Sequence, residues 1–272
     1  MTRLLQISDM HFGTEQPAVV HALHALAHDT KPDVLVVSGD ITQRATHQQF
    51  SRAKAFCDSL GIAQTLSLPG NHDIALFNVF SRVVRPYAAY QQAFGLALEP
   101  ELITPELCVV TVNTTRWWRH KNGEVSAAQI DRVCRQLSRA TAPQLRVVVV
   151  HQPVHVLRPQ DEHDRLRGWQ PAVRAWAAAG ADIVMGGHIH LPYVCELSST
   201  VSGLGRRLWC VQAGTAVSSR IRREAPNSVN LLDFDITPAG LRCSVARWDF
   251  QTAGGGFELA HTSVLDIERG IG

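Results

Sequence analysis

The sequence has no apolar run approaching the roughly 18 residues of a membrane-spanning helix. Its first strand pattern starts at Arg3, which leaves no room for a charged, then apolar, then small-residue secretory leader. A soluble, cytoplasmic protein with no membrane partner is therefore expected. There is no Cys-x-x-Cys pair either. The six cysteines, Cys57, Cys108, Cys134, Cys195, Cys210 and Cys243, are scattered, most of them inside apolar strand or helix patterns, so buried reduced thiols are expected. Charge of one sign is also scarce: 26 Lys and Arg against 24 Asp and Glu give a formal net charge of +2. Such a chain has no general basic surface, which weighs against coating nucleic acid. No internal repeat, low-complexity segment or linker divides the sequence, so residues 1–272 are read as a single domain. What it does have is ample core material, 45% hydrophobic against 18% charged residues, and an unusual thirteen histidines.

The first half alternates strand and helix. Leu4–Ile7 reads as a strand, and Pro17 opens a helix to Asp29 with Val20, Leu23 and Leu26 on one stripe. Asp33–Val37 is a continuous apolar run, as expected of a strand covered on both faces. Thr46 and Gln49 fit a capping box for a helix that stops at Gly61, and Ser126 and Gln129 fit a second. Further strands are read at Gln64–Leu68, Leu107–Asn113, Leu145–Val150 and Asp182–Met185, with a helix opening at Pro171 and ending at Gly180. From 208 to 260 the chain is strand-rich, with Leu208–Val211, Val229–Ile236 and Leu241–Phe250 joined by turns such as Thr237-Pro238-Ala239-Gly240. The mixed segment 77–105, helical near Ala88–Phe94, is read as a cap over the site.

Five short motifs each follow a strand: Asp9-Met10-His11, Gly39-Asp40, Gly70-Asn71-His72-Asp73, His151-Gln152-Pro153 and Gly187-His188-Ile189-His190. Carboxyl ends of strands in an α/β sheet are where ligands gather, so the five should converge. Singly, each has a plain reading. Asp-x-His can cap a helix, Gly-Asp can be a turn, Asn71 can sit in a left-handed turn, and His151 can be a hydrogen-bonded strand-end histidine. His188 and His190 are read in extended backbone, one residue apart and on the same side. Jointly the plain readings fail, because five strand ends would have to collect metal-type ligands by accident.

In this order the motifs, spanning Leu5 to His190, resemble the calcineurin-like metallophosphoesterases. The resemblance implies an α/β fold, a four-layer α/β/β/α sandwich of two mixed sheets flanked by helices. It also implies two divalent metal ions, one held by Asp9, His11, Asp40 and His190 and the other by Asp40, Asn71, His151 and His188, with Asp40 bridging. All proposed ligands offer oxygen or imidazole nitrogen and none a thiolate, a set that suits Mn, Fe or Zn. Two such ions clamp phosphoryl oxygens and activate water, so the nucleophile need not be a side chain. By the same resemblance His72 faces the substrate as a catalytic group, stabilising the transition state or protonating the departing alkoxide, with Asp73 setting its orientation.

Within the superfamily, Asp9-Met10-His11-Phe12-Gly13, Gly39-Asp40-Ile41-Thr42 and the length resemble bacterial class III cyclic-nucleotide phosphodiesterases and glycerophosphodiesterases. A departure is Gln152, where many such relatives carry a second histidine. Candidate substrate-binding residues are Arg116 and Trp117, in the Asn113–Lys121 stretch that combines cations with two indoles, and Arg220, in the cationic Ser218–Arg223 loop. Surface loops are the alternative for both. The expected partner is a small phosphodiester rather than nucleic acid, and a second copy of the chain is a further candidate partner. A phosphomonoesterase, a nuclease related to repair exonucleases, and a binding scaffold with a dead metal centre are the alternatives. The near-neutral charge counts against the nuclease, and the intact ligand set against the scaffold.

Overall fold

Strand β1 (Thr2–Ile7) sends Leu5 and Ile7 into one apolar cluster and Leu4 into another, the two-residue period of a strand covered on both faces. β2 (Val34–Val37) does the same, with Leu35 and Val37 on one side and Val34 and Val36 on the other. The computed structural model describes residues 1–75, 79–119, 121–237 and 240–268. Its first sheet joins β1 and β2 to β3 (Gln64–Ser67), all parallel, and then to β10 (Ser228–Thr237), β11 (Gly240–Gln251) and β12 (Gly256–Leu265), in the order β12-β11-β10-β1-β2-β3. β10 runs antiparallel to β1, with Leu4 opposite Leu232. The second sheet contains β4 (Glu101–Ile103), β5 (Leu107–Thr111), β6 (Leu145–Val149), β7 (Ile183–Gly186), β8 (Tyr193–Glu196) and β9 (Trp209–Gln212), in the order β4-β5-β6-β7-β9-β8. Its four central strands are parallel, and β4 and β8 close its edges antiparallel.

Three apolar clusters fill the three spaces between four layers. One, with Leu4, Val36, Val147, Val149, Met185 and Phe234, lies between the sheets. A second seats α1 (Pro17–Thr30) and α2 (His47–Ser59) on the first sheet through Leu23, Leu26 and Phe50. The third seats α5 (Ala127–Leu137) and α6 (Trp169–Ala178) on the second through Val133, Val173 and Trp176. This is the expected α/β/β/α sandwich. The strand-rich C-terminal part does not stand apart, since β10 to β12 extend the sheet that β1 begins. No helix among the described residues is long and apolar enough to cross a membrane. None of the six cysteines forms a disulfide, and Cys57, Cys108, Cys210 and Cys243 are buried.

Several local expectations change. Ser126 and Gln129 form a complete capping box, but Thr46 forms half of one: it accepts from the Gln49 N–H, while the Gln49 side chain accepts from Arg44 N–H instead. α6 begins at Trp169, two residues before Pro171, because Gly168 in the left-handed region (φ 82°) turns the chain in; proline in the first turn removes an N–H that no helical carbonyl needs. β4, β8 and β12 had no reading in the sequence. Phe77, Pro238 and Ala239 lie outside the described residues. In the rest of segment 77–105, α3 (Val79–Val84) is followed by α4 (Ala88–Phe94), whose buried Tyr90 donates a hydrogen bond to Ser67 O (2.8 Å). That helix packs on α2.

Candidate metal centre

The carboxyl ends of β1, β2 and β3 in one sheet and of β6 and β7 in the other meet along one rim, so their following loops face each other. Gln6 ties the sheets there, donating to Gly186 O at 3.0 Å. Asp9 and His11 follow β1, Asp40 follows β2, Asn71 opens a short 3-10 turn over Asn71–Asp73 after β3, His151 follows β6, and His188 and His190 follow β7. Five of these seven residues have left-handed backbone: Asp9 (φ 52°), His11 (43°), Asp40 (48°), His188 (76°) and His190 (57°). A side chain in that region costs energy, and strain of this kind gathers at ligand-holding sites. It also corrects the expectation for the two C-terminal histidines. They are not in extended backbone. Their division between two groups is the one the resemblance implies: His190 meets Asp9 and His11, whereas His188 meets Asp40 and His151. Glycine makes the crowding feasible. A Cβ on Gly187 would strike the Ser8 and Asp9 side chains, and one on Gly39 (φ 97°) would strike the His151 ring.

Two ligand groups result, Asp9/His11/Asp40/His190 and Asp40/His151/His188, with the donor atoms of each group within 4.8 Å of one another and Asp40 common to both. His190 Nε2 is 3.3 Å from Asp9 Oδ1, His11 Nε2 is 3.7 Å from Asp40 Oδ2, and His151 Nε2 is 3.3 Å from Asp40 Oδ1. Asn71 Oδ1 joins the second group, 3.3 Å from His151 Nε2. Asp9, His11 and His151 are fully buried. Burial works against ionising the two aspartates, yet the facing imidazoles, His190 for Asp9 and His151 for Asp40, overcome it and hold both well below the usual carboxylate range. Burial depresses His11 to about 3, so it is a neutral donor at neutral pH. Asp9 Oδ1 and both ring nitrogens of His188 are buried with no hydrogen-bond partner. Ionised carboxylates, neutral imidazole and orphaned buried polar atoms fit divalent ions, whose charge and coordination would offset the burial.

His72 stands beside this centre, its ring edge-on to His11 at 4.8 Å between centroids. Its Nδ1 faces Gln43 O at 3.1 Å and its Nε2 faces Arg220 Nη1 at 3.1 Å. Its orientation is thus set by Gln43, and the role expected of Asp73 is corrected. The Asp73 carboxylate turns back into the β2 loop and accepts from the N–H groups of Ile41 (3.0 Å), Thr42 (2.8 Å) and Gly70 (2.9 Å) and from the Thr42 hydroxyl. Burial, and then the nearby Asp40, push Asp73 up to about 7 against those donors. It shapes the loop that carries Asp40 and does not reach the substrate side.

A cavity of about 390 Å³ opens over the centre, lined among others by Asp40, His72, Lys121, Asp164, His190 and Arg220. Arg220 is therefore brought to the site as expected, and no described residue of segment 79–105 lines this cavity. Arg116 and Trp117 are not brought there. They line a separate groove of about 560 Å³ with Trp118, Tyr87 and Leu98. The Arg116 guanidinium braces its own loop, donating to Asn113 O (3.1 Å), Thr115 O (2.9 Å) and Gln129 Oε1 (2.7 Å). His120 lies outside the described residues. Gln152, the departure from the family pattern, anchors the same loop: its Oε1 accepts from the Thr114 hydroxyl (2.5 Å) and its amide donates to Lys121 O (3.2 Å). Two site residues went unread in the sequence, Gln43, which acts through its carbonyl, and Asp164, which sits in a short 3-10 turn over Pro159–Asp164. Asp164 is held down at about 2: burial opposes ionisation, but His188 and Lys121 overcome it.

Comparison with known proteins agrees with this geometry. A family model described as calcineurin-like phosphoesterase matches residues 2–192. No curated protein matches the sequence significantly. Among solved structures, a dimetal phosphatase from Danio rerio superposes with a TM-score of 0.67 at 13% identity, over 98% of this chain and 99% of that one. The purple acid phosphatase PPD1 from yellow lupin (Lupinus luteus) seeds gives 0.70 at 13% identity over 96% of this chain, which spans 53% of the lupin protein. Vps29 complexed with zinc from Entamoeba histolytica gives 0.51 at 11% identity, over 97% of this chain and 100% of that one. At such identities the superpositions establish a shared fold.

Proposed function

The chain belongs to the calcineurin-like phosphoesterase family, and from that premise we propose that it hydrolyses a small phosphodiester at a centre of two divalent ions, Mn, Fe or Zn. One observation carries the diester reading: a single loop, 113–121, contributes Lys121 to the cavity over the centre and Trp117 and Trp118 to the neighbouring groove. A diester has a second organic group that needs a surface of its own, and the indoles of a groove next to a cavity that carries Lys121 and Arg220 offer one. When bound, the ions supply Lewis acidity and activation of water. Asp9, His11, Asp40, Asn71, His151, His188 and His190 hold them.

The other steps belong to the chain's own side chains. Arg220 and Lys121 neutralise charge on the non-bridging oxygens. The Gln43 carbonyl fixes His72 by its Nδ1–H, which leaves Nε2 as the working nitrogen. Protonated there, His72 delivers that proton to the departing alkoxide as Arg220 Nη1 turns from Nε2 to a phosphate oxygen.

The reading is tested by assaying the metal-reconstituted chain at matched concentrations against bis-p-nitrophenyl phosphate, p-nitrophenyl phosphate, cyclic AMP and glycerophosphodiesters. Higher kcat/KM for a diester is expected. A clear preference for the monoester replaces this reading with a phosphatase, and inactivity of the loaded chain on all four replaces it with a scaffold.

A further inference from the structure

We propose that Asp164 is the positioning carboxylate of the second ion site, accepting from the Nε2–H of His188 so that Nδ1 is the nitrogen left for the ion. The inference rests on the two-metal reading above and adds a residue that the ligand motifs do not contain.

Two of the other candidate ligand histidines are held by backbone carbonyls. His151 Nδ1 faces Ser38 O at 2.8 Å and His190 Nδ1 faces Arg220 O. In both rings a backbone carbonyl fixes Nδ1–H and Nε2 points at the acidic ligands. His188 is arranged the other way round. Neither of its ring nitrogens has a hydrogen bond, although the side chain is 3% exposed. Its Nε2 faces Asp164 Oδ1 at 3.6 Å. That separation is a few tenths of an ångström beyond a hydrogen bond, within reach of a small ring rotation. Its backbone N–H is fixed on Asp9 Oδ2 at 2.9 Å, and its ring stands edge-on to His151, 5.1 Å between centroids. With the backbone tied and one face packed, the carboxylate beyond Nε2 is what determines the tautomer.

Asp164 is itself held for this task. Its side chain is 9% exposed, Lys121 Nζ lies 2.6 Å from Oδ1 and His163 Nε2 lies 3.3 Å from Oδ2. A carboxylate acceptor behind an imidazole fixes the ring and raises the basicity of its other nitrogen. Lys121 lies in the same stretch of sequence as Trp117 and Trp118, and through Asp164 it reaches His188 in the second ion site. The alternative, in which Asp164 merely pairs with Lys121 at the cavity mouth, leaves the Nε2 of a buried histidine without a partner.

Outer carboxylates of this kind typically change metal affinity by about 10–100-fold. The test uses Zn²⁺ as the probe on the full chain, with two readouts apart from activity. Competition against a chromophoric chelator gives the affinity of each site, and long-range ¹⁵N correlation spectra of the histidine-labelled, zinc-loaded chain give each ring's tautomer. The wild type is expected to bind two ions, with His188 as the Nε2–H tautomer and His151 and His190 as Nδ1–H. Asp164→Ala is expected to weaken one site about 10–100-fold and leave the other unchanged. Asp164→Asn, whose amide oxygen still accepts, should regain most of that loss. Nδ1–H at His188 in the loaded wild type overturns the proposal, as does an Asp164→Ala variant with both affinities intact. Equal losses in the Ala and Asn variants overturn it too, by making Asp164 itself a ligand. The tautomer measurement needs no variant and decides the matter even if Asp164→Ala fails to fold. Failure of the wild type to take up zinc defeats the two-metal reading itself, a result distinct from the others.

Discussion

The cavity over the metal centre and the tryptophan groove beside it share a loop yet are built by opposite means. The centre is made of short loops fixed directly to strand ends, five of its seven candidate ligands in left-handed backbone and most of them buried. The groove is made of half-exposed side chains, Trp117 at 38% and Trp118 at 56% exposure, on a loop braced by Arg116, Gln129 and Gln152. Rigid, strained backbone suits groups whose positions must be right to fractions of an ångström, whereas a looser apolar surface suits the variable part of a substrate. On the proposed reading, that difference lets chemistry and selectivity be altered separately.

The sharpest way to break the comparison is to attack the centre at the residue its two halves share. Asp40→Asn is expected to abolish turnover and strip metal from the chain, with circular dichroism largely unchanged. Wild-type turnover in that variant would remove the shared-ligand account. Next in size is His72→Ala. As the proton donor it should cost about 10²–10⁴-fold on a diester with a poor alkoxide leaving group and far less on p-nitrophenolate, which needs little protonation. Equal losses on both would make His72 a general binder of the transition state.

Asp73→Ala separates shaping the loop from chemistry. It orphans the buried N–H groups of Ile41, Thr42 and Gly70, so a loss of about 1–3 kcal/mol per group left unsatisfied is expected on unfolding of the metal-free chain. Unchanged denaturation midpoints would show that water replaces the carboxylate. The smallest effect belongs to the groove. Trp117→Ala is expected to raise KM for the preferred diester about fivefold, some 1 kcal/mol of lost stacking, and to leave kcat and the KM of p-nitrophenyl phosphate alone. A silent Trp117→Ala would disconnect the groove from the substrate.

The same contrast explains what could be read from the sequence. The candidate ligands were legible because each sits a fixed few residues past an apolar strand, so Asp9, His11, Asp40, Asn71, His151, His188 and His190 announce both their element and the chemistry they could do. Central strands such as β2 and β6 were legible for the same reason. The left-handed backbone of His188 and His190 was not, since nothing in Gly-His-Ile-His distinguishes a strained loop from an extended one. Partners that act through a carbonyl, as Gln43 does for His72, leave no mark on residue type. Asp164 stands 24 positions before His188 in an acidic turn that reads as solvated surface, and only the packing of β6 against β7 brings the two together. The edge strands β4 and β8 are short, and β12 shows little burial, so none carried a periodic signal.

The central claim is that two divalent ions, sharing Asp40, make this chain a phosphoester hydrolase. Its most direct test is to titrate the metal-stripped chain with Mn²⁺ or Zn²⁺ while measuring bound metal and hydrolysis of bis-p-nitrophenyl phosphate in the same samples. The account predicts two ions per chain, with activity appearing as the second site fills and lost again on chelation. Full activity in the stripped chain, or saturation at a single ion with turnover already maximal, would contradict it.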